Sequence, residues 1–136
     1  MLLPSLPLAR ISTEAIAVEE DKGAVRYGRE NAQLNKVSNL RFVLGDVTAT
    51  LRATDIRPDV VVLDPPRAGC GVDGAQQIAR LKPRRIVYIS CNPSTFAREA
   101  RAFLDAGYAL KQVTLIDQFP NTYHIELVGQ FDRVLG

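Results

Sequence analysis

The sequence predicts an α/β protein: a doubly wound, mostly parallel sheet finished by an antiparallel hairpin. Two features predict it. Short apolar runs rich in β-branched residues alternate with longer stretches of helical period. The last two apolar runs are separated only by residues 117–123, too short a gap for a parallel crossover.

The elements follow in order. Ala15 to Val18 is apolar and ends in acids, and Lys22 to Asn35 follows with helical spacing through Ala24, Val25, Tyr27, Ala32 and Leu34. Leu40 to Leu44 reads as a strand and Val47 to Ala53 as a short polar helix. Asp59 to Leu63 is an unbroken β-branched run, which suits a parallel strand buried on both faces. Asp73 to Leu81 reads as helix and Arg85 to Ile89 as a second buried strand. Pro93 to Ala106 is a helix that Asn92 or Ser94 can cap and Gly107 can end. Leu110 to Ile116 and His124 to Phe131 form the closing hairpin.

Composition bounds the class. A chain of 136 residues is sized for one domain, and 46% hydrophobic with 24% charged residues excludes disordered, collagen-like and coiled-coil classes. A net charge of +2 is too small to indicate a nucleic-acid binder on its own. No apolar run reaches the roughly 18 to 20 residues of a membrane span, and the opening segment is broken by Pro4 and Pro7 with no basic residue ahead of it. The two cysteines form neither a CxxC motif nor a Cys/His cluster, so a disulfide framework and a metal site are not expected, and the cytoplasm is the expected location.

Ligands of such sheets bind beyond the carboxyl ends of the strands, so the residues just after each strand are the candidates. Glu19, Glu20 and Asp21 fit either a ribose-binding carboxylate or an acidic helix start. Asp46 fits either an adenine contact or a helix cap. In Asp64-Pro65-Pro66-Arg67-Ala68-Gly69 the two prolines keep the chain extended and project Asp64 into the cleft, while the Arg67 guanidinium suits phosphate or carboxylate. Cys91 stands in a strand-to-helix turn where the helix dipole favours thiolate; a buried packing cysteine is the other reading. Cys70, in a Gly-Cys-Gly loop, reads as structural or incidental. Glu126 can serve as a general base, and His124, two residues earlier, as a base or a packing residue.

Three blocks, Asp64-Pro-Pro-Arg-Ala-Gly69, Ser90-Cys-Asn-Pro93 and Asp117-Gln-Phe-Pro-Asn-Thr-Tyr-His-Ile-Glu126, together with Ala15 to Glu19 and Arg29 to Ala32 upstream, resemble the RNA uracil-C5 methyltransferases that use S-adenosylmethionine. The resemblance implies a Rossmann-like class I methyltransferase sheet and raises Cys91 from packing residue to nucleophile. It implies that Cys91 adds to C6 of uracil, that Glu126 removes the C5 proton, and that Glu19, Asp46 and Asp64 bind the cofactor. Arg67 and Asn92 would lie on the RNA substrate side, whether rRNA or tRNA, and the target base would leave its stack. Nitrogen-directed methyltransferases that share Asp-Pro-Pro follow it with an aromatic, where Arg67 stands here.

The family begins its sheet with a strand and a Gly-rich turn and usually carries an RNA-binding OB-fold; neither is found in this sequence, and no GxGxxG occurs. Ser5 to Ala9 resembles the helix that follows that turn. With the first strand missing, its neighbours' edges are expected to be closed by direct re-pairing, by the first residues, or by a second copy in a homodimer. Cofactor affinity is expected to be low. The alternative function is a non-catalytic truncated remnant, or a self-associating module, of the same fold.

Overall fold

The computed structural model describes residues 4–118 and 120–135. The chain forms two compact units, Met1–Ala53 and Thr54–Gly136.

In the first unit, α1 (Ser5–Arg10) precedes β1 (Ala15–Glu19), α2 (Lys22–Leu34), β2 (Leu40–Leu44) and α3 (Val47–Arg52). β1 and β2 run parallel, from Ala15 opposite Leu40 to Glu19 opposite Leu44. Val25, Gly28 and Ala32 recur at helical spacing and form the buried stripe of α2. Val25 and Ala32 pack with Ala17 of β1 and Phe42 of β2 into one small core, edged by Val37 and Leu40. Asp21 starts α2 by accepting the Ala24 N–H at 2.6 Å. Asn39 ties the entry of β2 to the end of α1, its side-chain amide donating to the carbonyls of Ala9 (2.7 Å) and Ser12 (2.8 Å).

The second unit contains β3 (Val60–Leu63), α4 (Gly71–Arg80), β4 (Arg85–Ser90), α5 (Pro93–Asp105), β5 (Tyr108–Ile116) and β6 (Glu126–Arg133). The sheet order is β3-β4-β6-β5. β3 and β4 are parallel; β6 enters between β4 and β5 and is antiparallel to both. The closing hairpin is therefore present, although its first strand starts two residues earlier than the sequence suggests and its second strand starts at Glu126.

Burial alternates strictly along β4 and β6: Ile86, Tyr88 and Ser90, and Leu127, Gly129 and Phe131, all face inward. An aromatic cluster fills that face. Phe103 meets Phe131 at 5.2 Å between ring centroids and Tyr88 at 6.5 Å edge-on, while Phe96 lies 5.3 Å from Tyr88. The Tyr108 hydroxyl donates to the Pro83 carbonyl at 2.8 Å and pins the start of β5 under β4.

One expectation is corrected: β3 is not buried on both faces. Val60 is 39% exposed and only Leu63 is fully buried, because among the described residues β3 is an edge strand with β4 as its one ladder partner. In the first unit, β1 is paired with β2 and the opening Ser5–Arg10 is helical rather than a strand. Among the described residues, no helix is long and apolar enough to cross a membrane.

Candidate active site

In the first unit, Glu19 ends β1 and Asp46 follows β2. The Glu19 Oε1 accepts the backbone N–H groups of Glu20 (3.0 Å) and Asp21 (3.1 Å), which fix the carboxylate at the strand's carboxyl end. Burial pushes the Glu19 carboxyl up, the Asp21 and Glu20 amides draw it down, and it stays below the usual carboxylate range. The acidic trio thus divides its roles: Asp21 caps α2, and Glu19 is held by amides at the turn. Asp46 takes the capping role that its position allowed, its Oδ1 accepting the Ala49 N–H at 2.7 Å at the start of α3.

In the second unit, Asp64 is half-buried directly after β3, and burial raises its carboxyl above the ordinary value. The connection from Asp64 to Gly71 makes a tight turn, with the Gly69 N–H on the Pro66 carbonyl at 2.7 Å. Gly69 and Gly71 adopt φ of +84° and +75°, a region that favours glycine. Arg67 is exposed, and its carbonyl accepts the Thr95 hydroxyl at 3.3 Å.

Cys91 is half-buried and follows β4 immediately. On either side of it, the Ser90 hydroxyl donates to the Asn92 carbonyl (3.1 Å) and accepts the Asn92 N–H (3.2 Å), closing a small loop around the cysteine. Asn92 is the N-cap of α5: its Oδ1 accepts the N–H groups of Ser94 (3.1 Å) and Thr95 (3.3 Å), with Pro93 in the first turn. Cys91 therefore immediately precedes the N-cap of the 13-residue α5.

Glu126 is the half-buried first residue of β6. The last rung of the β4–β6 ladder pairs Ser90 with Leu127; Cys91 follows Ser90 just beyond the end of β4, and Glu126 precedes Leu127 and pairs with Ile116 of β5. His124 lies outside β6 and is exposed, its ring 4.4 Å from that of Tyr123, so the strand geometry expected to align it with Glu126 is absent.

Cys70 differs from Cys91. Its thiol donates to the Glu99 Oε2 at 3.2 Å, and burial, reinforced by the Glu99 carboxylate, pushes the thiol up to about 12. It is held as a neutral thiol, in keeping with a structural role.

Glu99 escaped the sequence reading. It is fully buried in α5, and its carboxylate accepts from the Tyr88 hydroxyl (2.7 Å), the Gly71 N–H (2.8 Å) and the Cys70 N–H (3.2 Å). The signal was available: Phe96, Glu99, Ala100 and Phe103 lie on one helical stripe, and a carboxylate on an apolar stripe needs buried partners.

The family model described as tRNA (Uracil-5-)-methyltransferase matches residues 4–132. An uncharacterized RNA methyltransferase of Caldanaerobacter subterraneus subsp. tengcongensis is 46% identical over 127 residues, which cover 93% of this chain and 28% of that protein. The 23S rRNA (uracil(1939)-C(5))-methyltransferase RlmD of Shewanella sp. (strain MR-4) is 43% identical over 130 residues, 94% of this chain and 29% of the relative. The chain thus spans less than a third of the curated relatives it matches.

Among solved structures, the Pyrococcus abyssi tRNA (uracil-54, C5)-methyltransferase in complex with S-adenosyl-L-homocysteine superposes with a TM-score of 0.77 at 32% identity, covering 91% of this chain and 30% of that one. NSun6 from Pyrococcus horikoshii shares the fold with a TM-score of 0.78 at 16% identity, covering 95% and 44% of the two chains. On the match over residues 4–132, this chain belongs to the tRNA (uracil-5-)-methyltransferase family.

Proposed function

We propose that this chain is the catalytic portion of an S-adenosylmethionine-dependent enzyme that methylates C5 of a uridine in rRNA or tRNA through a covalent adduct on Cys91. The single supporting observation is the β4–β6 ladder, whose last rung pairs Ser90 with Leu127, so that Cys91 and Glu126 each adjoin that rung in sequence.

Glu19 and Asp46 in the first unit, and Asp64 in the second, are carboxylates at or just after the carboxyl ends of β1, β2 and β3, and carboxylates can accept hydrogen bonds from the ribose hydroxyls and exocyclic amine of a bound nucleoside cofactor. Bound S-adenosylmethionine supplies an electrophilic methyl group on its sulfonium. The Cys91 thiolate forms a bond to C6 of the uracil, which places the displaced electron pair on C5 and makes that carbon nucleophilic. Once C5 carries the methyl group, the Glu126 carboxylate takes the C5 proton, the C5–C6 double bond re-forms, and the C6–S bond breaks to return the thiolate. Arg67, exposed three residues after Asp64, suits an RNA phosphate, and Asn92, next to Cys91, caps the helix that follows.

The test is incubation of the 136-residue chain with S-adenosylmethionine and an RNA oligonucleotide carrying 5-fluorouridine, whose C5 fluorine cannot leave as a proton does. A stable protein–RNA adduct that disappears in Cys91→Ser supports the reading. An adduct that persists in Cys91→Ser would refute it.

A second reading is self-association. Among the described residues β1 and β3 each have one ladder partner, which leaves one edge of each strand unpaired in its own sheet. Light scattering at rising concentration separates a monomer, which contradicts this reading, from a dimer.

A further inference from the structure

The strongest feature outside the proposed chemistry is the buried carboxylate of Glu99. Its Oε1 accepts the Gly71 N–H at 2.8 Å and an Arg98 guanidinium N–H at 3.3 Å. Its Oε2 accepts the Tyr88 hydroxyl at 2.7 Å and both the amide and the thiol of Cys70 at 3.2 Å. Gly71 is the first residue of α4, and Cys70, its N-cap, provides no side-chain cap of its own. Glu99 therefore caps α4 from a neighbouring helix, placing its negative charge where the α4 dipole favours one.

Two further bonds hold the same connection to α5: Thr95 on the Arg67 carbonyl, and Arg98 on the Ala68 carbonyl at 3.2 Å. The fit leaves no slack, because a Cβ on Gly69 would collide with the Glu99 carboxylate and with Thr95. The anchored residues, Arg67 to Gly71, follow Asp64 by three positions in the same connection, and the helix that anchors them begins one residue after Asn92, two after Cys91.

We propose that Glu99 is a positioning residue that pins the Asp64–Gly71 connection to α5, so that Asp64 and Cys91 are held in one rigid frame. Its consequence for the reaction rests on the function proposed above. Burial alone would push the Glu99 carboxyl up; the Tyr88 hydroxyl, the Cys70 thiol and the Gly71 and Cys70 amides outweigh it and keep the group below the usual carboxylate range, as an acceptor-only anchor requires.

Three variants of the 136-residue chain test it by amide hydrogen exchange and by adduct formation. In Glu99→Gln an amide NH₂ replaces one acceptor oxygen; in Gly69→Ala the added methyl drives the connection off the carboxylate while leaving Glu99 charged. Tyr88→Phe removes one donor in the same cluster and leaves the connection bonded. Exchange at Cys70 and Gly71 should rise roughly 10- to 100-fold in the first two variants and remain near wild type in Tyr88→Phe, with β4 and α5 amides still protected. With 5-fluorouridine RNA at saturation, Glu99→Gln should form the Cys91 adduct about 100-fold more slowly with RNA affinity unchanged, a loss in rate rather than binding. Exchange at Cys70 and Gly71 that is unchanged in both Glu99→Gln and Gly69→Ala, or an equal rise in Tyr88→Phe, overturns the pinning role. If the wild type forms no adduct, the proposed function fails and the exchange contrast alone decides on Glu99.

Discussion

Gly129 of β6 lies directly under the ring of Phe96 of α5: a Cβ at this position would come within 2.5 Å of the ring's Cζ and 2.6 Å of its Cε2. The ring cannot retreat, because it is 7% exposed and wedged between Tyr88 and Phe131, 5.3 and 6.0 Å away between centroids. The absent side chain lets α5 settle on β6, which joins the helix that follows Cys91 to the strand that begins at Glu126. Gly129→Ala should destabilise the fold by about 1 to 3 kcal/mol through overpacking. A lower urea midpoint at unchanged m-value is the expected outcome; an unchanged midpoint would mean the ring has room to move.

The two cysteines should react very differently. With its thiol pushed up to about 12 from an ordinary 9.0, Cys70 carries about a thousandth of the thiolate of a free cysteine at pH 8. Iodoacetamide labelling followed by peptide mapping should find Cys91 modified at least about 100-fold faster than Cys70, since only thiolate reacts. Equal labelling would mean that the Glu99 cluster opens readily.

Loss of the cap on α5 should be separable from loss of chemistry. Asn92→Ala removes the acceptor for the Ser94 and Thr95 amides and should cost about 1 kcal/mol, whereas Asn92→Ser retains a capping oxygen and should cost a few tenths at most. Thermal denaturation of the pair checks this. If Asn92→Ser retains stability yet slows adduct formation as much as Asn92→Ala, the side chain also contacts RNA.

Acid should weaken the fold through Glu99 and Asp132. The carboxyl of Asp132, bonded by Arg85 at 2.7 and 3.0 Å, is held below its ordinary 3.8, and that of Glu99 lies below its ordinary 4.5. An unfolded chain takes up these protons more readily than the folded one. The stabilisation is therefore complete above about pH 5 and is lost as pH falls through the folded-state values. Stability measured from pH 7 to 3 should decline, and Glu99→Gln should flatten the curve while lowering its plateau. Asp64 works in the opposite direction: burial raises its carboxyl above 3.8, so its ionisation opposes folding, and Asp64→Asn should be more stable than wild type at pH 7. A less stable Asp64→Asn would show that the carboxylate has unrecognised partners.

Much of this molecule was legible in its sequence because the determinants are local. The Val25, Gly28 and Ala32 stripe, the Asn92 cap and the short gap before Glu126 each act over a few residues, and the elements formed accordingly. What could not be read depends on contacts distant in sequence. The division of the strands into two sheets follows from which edges find partners, and Val60, in an apolar run that suits a buried strand, is exposed because β3 is an edge. Asp46 had two candidate roles at one position, and only geometry shows its side chain on the Ala49 amide. Glu99 is bonded to residues 28 and 29 positions away, Gly71 and Cys70, so its use as a cap for α4 leaves no mark near α4 itself.

The proposed roles of Cys91 and Glu126 are tested most directly by intact-mass spectrometry of Glu126→Gln incubated with S-adenosylmethionine and an ordinary uridine-containing RNA. Without a base for the C5 proton, the methylated adduct cannot release its sulfur, so protein–RNA adduct should accumulate on the peptide that contains Cys91 and be absent when Cys91→Ser is added. Turnover by Glu126→Gln at the wild-type rate with no adduct, or an adduct mapped to Cys70, would contradict the account.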